Sequence, residues 1–99
     1  NMCSIASKVA YANGGSYCIS KFALYGMSQC LREELKEYNV KVTSVLPGAV
    51  RTGSWDGTVL PDERFINPDD VSNSIYSSYR TSKGATIEEI IIRPQLGDI

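Results

Sequence analysis

Residues 17–52 carry the pattern on which the fold prediction rests: YCISKFALYGMSQCLREELKEYNVKVTSVLPGAVRT. Its first part contains apolar residues at steps of three and four, which are Leu24, Met27, Leu31, Leu35 and Tyr38. That spacing is typical of one face of a helix. We therefore predict a helix over residues 17–38, with Ser16 as its N-cap and Asn39 as its C-cap.

Strand and helix patterns alternate in the rest of the chain. Residues 40–46 (VKVTSVL) form a β-branched run that predicts a strand ending at Pro47-Gly48. Residues 87–93 (IEEIIIR) predict a last strand, whose three consecutive Ile are expected to be buried on both faces. Residues 1–8 resemble the end of a strand running into a loop. This alternation indicates an α/β fold with parallel strands.

A second helix is predicted by Asn67-Pro68-Asp69-Asp70. Asn suits the N-cap, Pro the first helical position, and the two acids face the positive end of the helix dipole. Val71, Ile75 and Tyr79 follow at intervals of four and predict one apolar face. Residues 49–66 before this helix have no period, and loops of that length in compact domains tend to be functional.

Charge and composition exclude several classes of function. The 99 residues hold ten Lys plus Arg against eleven Asp plus Glu, for a net charge of −1. This balance predicts no nucleic-acid partner and no anionic membrane partner, because both need a clustered basic surface. There is no His. Any acid–base chemistry must therefore come from Tyr, Lys, Cys or carboxylates, and no metal site is expected.

The three cysteines predict neither a disulfide framework nor a zinc site, because they are odd in number and form no C-x-x-C pair. We expect reduced thiols in a cytoplasmic protein, with Cys3 and Cys18 as small buried residues. No apolar run approaches the roughly 18 residues of a membrane span, and no signal-peptide pattern is present.

Tyr17 and Lys21 form the first candidate for catalytic chemistry. They are four residues apart at the start of the long helix, so their side chains lie on one face. A Lys ammonium close to a phenol favours the charged phenolate, which suits a phenol to proton transfer. Taken alone, such a pair is more often an ordinary surface Tyr beside a surface Lys.

Two further motifs give the pair its context. Ser4 lies thirteen residues before Tyr17, where a strand is expected to end, and the next strand ends in Pro47-Gly48-Ala49-Val50-Arg51-Thr52. A strand-end Ser, a Y-x-x-x-K helix and a P-G-x-x-x-T turn, in this order and spacing, resemble the short-chain dehydrogenase/reductase family. The resemblance extends over residues 1–99 and implies a Rossmann-like, doubly wound parallel sheet.

The resemblance implies an oxidoreductase that transfers a hydride between NAD or NADP and a carbonyl or secondary alcohol. Tyr17 would be the proton donor and acceptor, and Ser4 would hydrogen-bond the substrate oxygen. Lys21 would assist Tyr17 and hold the nicotinamide ribose. The cofactor site would include Tyr17 and Lys21 together with four residues of the strand-end turn, which are Pro47, Gly48, Val50 and Thr52.

Other polar and aromatic residues compete for, or add to, these roles. Ser7 is a second hydroxyl three positions after Ser4, but the spacing to Tyr17 favours Ser4. Tyr11 and Trp55 fall in the two loops that flank the active site in this family, so they are candidates for substrate binding. Packing is the alternative for both. Residues 53–66 are expected to close over a small-molecule substrate.

One family feature is missing from the sequence. The family binds the cofactor's diphosphate with a glycine-rich turn between its first strand and helix, and no G-x-x-x-G-x-G occurs here. We therefore expect residues 1–99 to be the C-terminal half of one NAD(P)-binding domain, inactive by itself.

Three alternative functions and one assembly follow from the same residues. A sugar-nucleotide epimerase or dehydratase of the family's extended branch shares Y-x-x-x-K. A non-catalytic dinucleotide sensor or scaffold has no chemical need for Ser4, Tyr17 and Lys21 together. An independent interaction module would have to fold on its own. The resemblance also implies a homodimer or homotetramer assembled through the helix at residues 17–38.

Overall fold

Helix α1 runs from Gly15 to Leu35 in the computed structural model, which describes residues 1–99. It begins two residues earlier than predicted, because the Gly14 carbonyl already accepts hydrogen bonds from the N–H groups three and four residues later. Gly14 occupies the N-cap without a side-chain hydrogen bond. The prediction that Ser16 caps the helix is therefore wrong, since helical hydrogen bonding starts before that hydroxyl.

A 3-10 turn, Lys36–Tyr38, extends α1 to the predicted end. Asn39 follows it in the left-handed conformation, with φ of 60°. Its N–H donates to the Lys36 carbonyl over 3.2 Å. The prediction of Asn39 as the C-cap is confirmed, because Asn tolerates this conformation better than most residues do.

The predicted apolar stripe of α1 is divided between two faces. The three residues that are partly buried are Leu24, Leu31 and Leu35. Met27 is 49% exposed, and Ser28 takes the buried position beside it with 1% exposure. Ile19 and Phe22 are exposed on the outer side of the helix. The stripe therefore covers the chain's own sheet only in part.

The sheet contains β1 (Ser44–Pro47) and β2 (Glu89–Ile92), which pair in parallel. Met2 adds an isolated parallel bridge to Val45 on the other side of β1. Both strands are shorter than the predicted ranges of residues 40–46 and 87–93. Just before Ser44, the two segments are joined by a side chain and not by the backbone ladder, since the Thr43 hydroxyl donates to the Ile87 carbonyl over 2.7 Å.

Burial differs sharply between the two strands. All four residues of β1 are buried, whereas Ile91 of β2 is 50% exposed. The expectation that the Ile run is buried on both faces is therefore wrong. The physical reason is that alternate residues of a strand point to opposite faces: Ile90 and Ile92 pack against the buried core on one face, and Ile91 points to the other.

Helix α2 spans Pro68–Tyr79 and connects the two parallel strands. The Asn67 side chain accepts a hydrogen bond from the Asp69 N–H over 2.9 Å, which confirms the predicted N-cap. The predicted apolar face is used only at Val71, which is 7% exposed. Tyr79 at its other end is 82% exposed. Of this face, only the first turn therefore reaches the core.

The connection over residues 49–66 is held at its two ends. Val50 and Ile66 form a parallel bridge, and two 3-10 turns, Gly53–Trp55 and Asp62–Arg64, lie between them. The small core unites β1, this connection and α2 through three buried residues, which are Val45, Ile66 and Val71.

The α/β class with parallel pairing is confirmed. Neither helix combines the length and apolar character that crossing a membrane requires.

Candidate active site

A cleft of about 730 Å³ opens where the strands end. It is bordered by the residue after the Met2 bridge, by the turn after β1 and by the segment after β2. Eight of the nine predicted site residues line it, and they are Ser4, Tyr11, Tyr17, Pro47, Gly48, Val50, Thr52 and Trp55. Lys21 is the exception. The topology thus brings together residues that are up to 51 positions apart in the sequence, from Ser4 to Trp55.

Tyr17 and Lys21 lie one turn apart near the start of α1. Tyr17 is 48% exposed and faces the cleft. The Lys21 Nζ is 5.8 Å from the centroid of the Tyr17 ring and donates a hydrogen bond of 2.8 Å to the Met2 carbonyl. An ammonium has three donors, so two N–H bonds of Lys21 remain free of that carbonyl. Lys21 therefore stands behind Tyr17 and not in the cleft wall.

Ser4 is the N-cap of a 3-10 turn, Ile5–Ser7. Its Oγ accepts from the Ala6 N–H over 3.1 Å, and the Ser7 Oγ accepts from the Ser4 N–H over 3.1 Å. The Ser4 hydroxyl proton is not used by this capping, since the oxygen acts as an acceptor. Ser7 is 1% exposed and does not border the cleft. Of the two candidate hydroxyls, only Ser4 can meet a molecule in the cleft.

Tyr11 borders the cleft and lies next to the buried Gly14. A Cβ at Gly14 would lie 3.2 Å from the Tyr11 ring and only 2.3 Å from the Cys18 Sγ. Partial desolvation raises the pKa of Tyr11, and the neighbouring Cys18 and Tyr17 raise it further. Tyr11 is therefore a hydrogen-bond donor at neutral pH. Cys3 and Cys18 are buried as expected, and Cys30 is exposed.

The turn after β1 offers free backbone groups. In the bridge to Ile66, the Ala49 carbonyl and the Arg51 N–H make the hydrogen bonds, at 2.8 and 3.0 Å. The N–H and C=O of Val50 between them have no backbone partner, and Val50 borders the cleft. One donor and one acceptor on the same residue match the two polar groups of a primary carboxamide.

An aromatic pair supports the far wall of the cleft. The rings of Trp55 and Phe65 meet edge to face, with centroids 5.1 Å apart. Arg51 lies over the Phe65 ring at 5.6 Å, and its Nε is 2.9 Å from a carboxylate oxygen of Asp62. Trp55 is thereby held by the same connection that carries the strand-end turn. Thr52 is exposed at the start of this wall.

Sequence reasoning missed the contribution of the C-terminal segment. Arg93 and Asp98 form an ion pair and border the cleft together with Ile99. The segment folds back because the Gly97 N–H donates to the Pro94 carbonyl over 2.9 Å, with Gly97 at φ of 94°. The signal was present, since a Pro followed three residues later by a Gly is typical of a turn.

A second groove, of about 620 Å³, lies between α1 and the sheet. Its lining includes polar and charged residues such as Gln29, Arg32 and Glu88, and none of the predicted site residues. The predicted site residues therefore do not extend into this second groove.

Comparison with known proteins agrees with this arrangement. The family model described as short chain dehydrogenase matches residues 1–60, which include every predicted site residue. The chain belongs to the short-chain dehydrogenase family. This result confirms the resemblance drawn from the three sequence motifs.

Short-chain dehydrogenases of known sequence and structure match almost the whole chain. Sepiapterin reductase of Chlorobaculum tepidum is 35% identical over 98 residues, which are 97% of this chain and 40% of that protein. The crystal structure of a betaketoacyl-[ACP] reductase from Bacteroides thetaiotaomicron superposes with a TM-score of 0.78 at 34% identity, covering 97% of this chain and 40% of that one.

A metagenomic short-chain oxidoreductase in complex with NADP also matches, with a TM-score of 0.73 and 29% identity, over 96% of this chain and 37% of that one. The chain thus spans about 40% of the length of the relatives it matches. These neighbours have the Rossmann fold, so the predicted fold type is confirmed.

Proposed function

We propose that this chain forms the proton-transfer side of an NAD- or NADP-dependent oxidoreductase that acts on a carbonyl or secondary alcohol. The observation that carries the proposal is the common cleft of Ser4, Tyr17 and the strand-end turn, with Lys21 directly behind Tyr17. The match of this short-chain dehydrogenase to a relative in complex with NADP supports the choice of cofactor.

Tyr17 donates its phenolic proton to the substrate oxygen in the reductive direction and takes it back in the oxidative direction. Its hydroxyl suits this role because the side chain is half exposed and borders the cleft. The Lys21 ammonium, 5.8 Å from the ring centroid, stabilises the phenolate that remains after proton donation. The cofactor, when bound, supplies the hydride.

Ser4 donates its free hydroxyl proton to the same substrate oxygen. The acceptor side of this hydroxyl is occupied by the Ala6 N–H, which fixes the orientation of the Oγ. A donor held in place before the reaction stabilises developing negative charge without reorganisation. Ser4 and Tyr17 therefore share one oxygen in this proposal.

The strand-end turn is the proposed nicotinamide side of the cleft. The unpaired N–H and C=O of Val50 would hold a carboxamide, and Pro47 and Gly48, which line the same part of the cleft, would border the ring. Thr52 and one remaining N–H of Lys21 are proposed to bind cofactor oxygens. Tyr11 and Trp55 are proposed to bind the substrate, a small molecule.

The diphosphate part of the cofactor needs residues that this sequence does not contain. Since the chain spans about 40% of the length of its relatives and has no glycine-rich turn after a first strand, we propose that it is the C-terminal half of one NAD(P)-binding domain.

We further propose a cytoplasmic location and assembly of a homodimer or homotetramer through α1. Exposed Ile19, Phe22 and Met27 support that assembly, which mass measurement in solution tests.

Replacement of Tyr17 tests the proposed function. In the intact protein, Tyr17→Phe should lower kcat by about 10²–10⁴-fold, because the ring is kept and only the transferable proton is lost. Turnover is measured with NADH and NADPH against a panel of ketones and aldehydes. Tyr38→Phe is the matched control, since Tyr38 is 68% exposed at the other end of the helix. Equal turnover of Tyr17→Phe and wild type would contradict the proton-transfer role.

A further inference from the structure

The segment that carries Ser4 is attached to α1 on its upstream side. The Asn1 side-chain amide donates to the Ser28 Oγ over 2.7 Å, and the Lys21 Nζ donates to the Met2 carbonyl over 2.8 Å. Both contacts precede Ser4 in the sequence. They hold the incoming chain. After Ser4, the 3-10 turn is held internally by its capping hydrogen bonds, so its position depends on what holds the end of the turn.

A cluster of three side chains holds the downstream side. The Lys8 Nζ lies 2.8 Å from one carboxylate oxygen of Glu89, and the Tyr25 hydroxyl donates to the other. The Lys8 ammonium is also 5.3 Å from the centroid of the Tyr25 ring. The cluster thus joins three parts of the fold: the end of the Ser4 turn, α1, and the first residue of β2.

The cluster combines one positive charge, on Lys8, with one negative charge, on Glu89. Hydrogen bonds from Lys8 and Tyr25 lower the pKa of Glu89, while the Glu89 carboxylate raises the pKa values of Lys8 and Tyr25. The side chains of Lys8 and Glu89 are 39% and 32% exposed, so the pair is partly shielded from water. At neutral pH the carboxylate is ionised and both donors are protonated.

The placement of Tyr25 relates the cluster to the proposed chemistry. Tyr17, Lys21 and Tyr25 are spaced by four along α1, so they share one helix face. Tyr17 borders the cleft, and Lys21 binds the Met2 carbonyl before Ser4. Tyr25 binds Glu89, which in turn binds Lys8 after Ser4. The turn between Ser4 and Lys8 contains only three residues, so a displacement of Lys8 is transmitted to Ser4.

We propose that Glu89, through Lys8 and Tyr25, is a positioning residue that holds the Ser4 hydroxyl in register with the Tyr17 hydroxyl. This inference rests on the proposed function, in which both hydroxyls serve one substrate oxygen. None of the three cluster residues borders the cleft. Their effect on the reaction therefore passes through the position of Ser4, and small misplacements of a reacting group cost large factors in rate.

A double-mutant cycle between Glu89 and Ser4 in the intact enzyme tests the proposal. Glu89→Gln should lower kcat by about 10-fold with an unchanged KM for NADH or NADPH. In a Ser4→Ala background the same substitution should cause no further loss, because the group that Glu89 positions is gone. A purely structural role would lower the rate equally in both backgrounds.

Control variants distinguish an effect of this cluster on kcat from an effect of neighbouring residues. Glu88→Gln is the control, because Glu88 pairs with Arg32 of α1 at 3.0 Å and makes no contact with the Ser4 segment. It should keep the wild-type kcat. Lys8→Arg should also keep it, since an ion pair with Glu89 is retained. If Glu89→Gln does not fold, Tyr25→Phe takes its place in the cycle, because it removes one hydroxyl and keeps the ring.

The possible failures are distinguishable. Wild-type kcat in Glu89→Gln, alongside an inactive Tyr17→Phe, would overturn the positioning role and leave the proposed function in place. Equal losses in the wild-type and Ser4→Ala backgrounds would also overturn it. Undiminished turnover in both Tyr17→Phe and Ser4→Ala would refute the proposed function itself.

Discussion

At the scale of single residues, Gly14 illustrates how a missing side chain shapes the cleft. It is buried at the start of α1, against the Cys18 Sγ and the Tyr11 carbonyl. Its φ of −70° is open to any residue, so the requirement for glycine is one of space. The Cys18 thiol fills the volume that a methyl group would need.

Gly14→Ala should destabilise the intact protein by about 1–3 kcal/mol, the usual cost of adding a methyl group to a filled site. The added Cβ would be 2.3 Å from the Cys18 Sγ and 3.0 Å from the Tyr11 carbonyl oxygen. Urea unfolding measures the change. Gly84→Ala is the control, because no atom lies within 4 Å of its added Cβ. Equal stability of the two variants would show that the site can relax.

Residue identities in the site were predictable, but their partners were not. Ser4, Tyr17 and Thr52 were predicted because the order and spacing of three motifs along the chain resemble a known family. The acceptor of Lys21, the carbonyl of Met2, lies 19 residues away and carries no side-chain signal. A backbone carbonyl is the same at every position, so only the fold selects it.

At the scale of elements, two of the three predicted helix caps were correct, whereas both strands begin later than predicted. Asn67 and Asn39 act on N–H and C=O groups within three residues, so a local pattern is sufficient. Strand limits depend on the partner strand. β1 ends where its register with β2 ends, and that register is a tertiary property.

The cluster that joins α1 to β2 predicts a pH dependence of stability. The pKa of Glu89 is lowered in the fold, so its contribution is fully present above the ordinary value of 4.5 and is lost as the pH falls through the lowered value. The pKa of Lys8 is raised, so its contribution is fully present below 10.5 and is lost as the pH rises through the raised value. The pair therefore stabilises the fold between these limits.

Urea unfolding of the intact protein between pH 3 and pH 7 measures this contribution. Glu89→Gln should be less stable than wild type at pH 7, and the difference should shrink as the pH falls below about 4.5. Glu63→Gln is the control, because Glu63 makes no ion pair. A difference that stayed constant over this range would contradict the ionic origin.

At the scale of the whole molecule, little of the chain is buried. Only 15 of 99 residues are buried, and the core cluster has three members. The radius of gyration is 14.8 Å, above the roughly 13 Å of a compact domain of this length. Large apolar side chains such as Ile19 and Ile91 remain at the surface.

The 99-residue chain by itself should therefore show no cooperative unfolding transition. The small core cannot offset the conformational entropy of ordering the chain. Circular dichroism and Trp55 fluorescence during urea titration measure this, and the exposed apolar surface should bind a hydrophobic dye. A single sigmoidal transition, coincident for both probes, would contradict the expectation.

The sequence by itself determined the α/β class, the helix caps at Asn39 and Asn67, the exclusion of His chemistry and the family motifs, because each is a pattern of side-chain types in order along the chain. The tertiary structure decided which of these residues meet. Parallel pairing of β1 with Met2 and β2 brings Ser4, the strand-end turn and the C-terminal segment to one edge, beside Tyr17. The same packing brought Lys8 and Tyr25 to Glu89, more than 60 residues away, and no local pattern encodes a contact of that range.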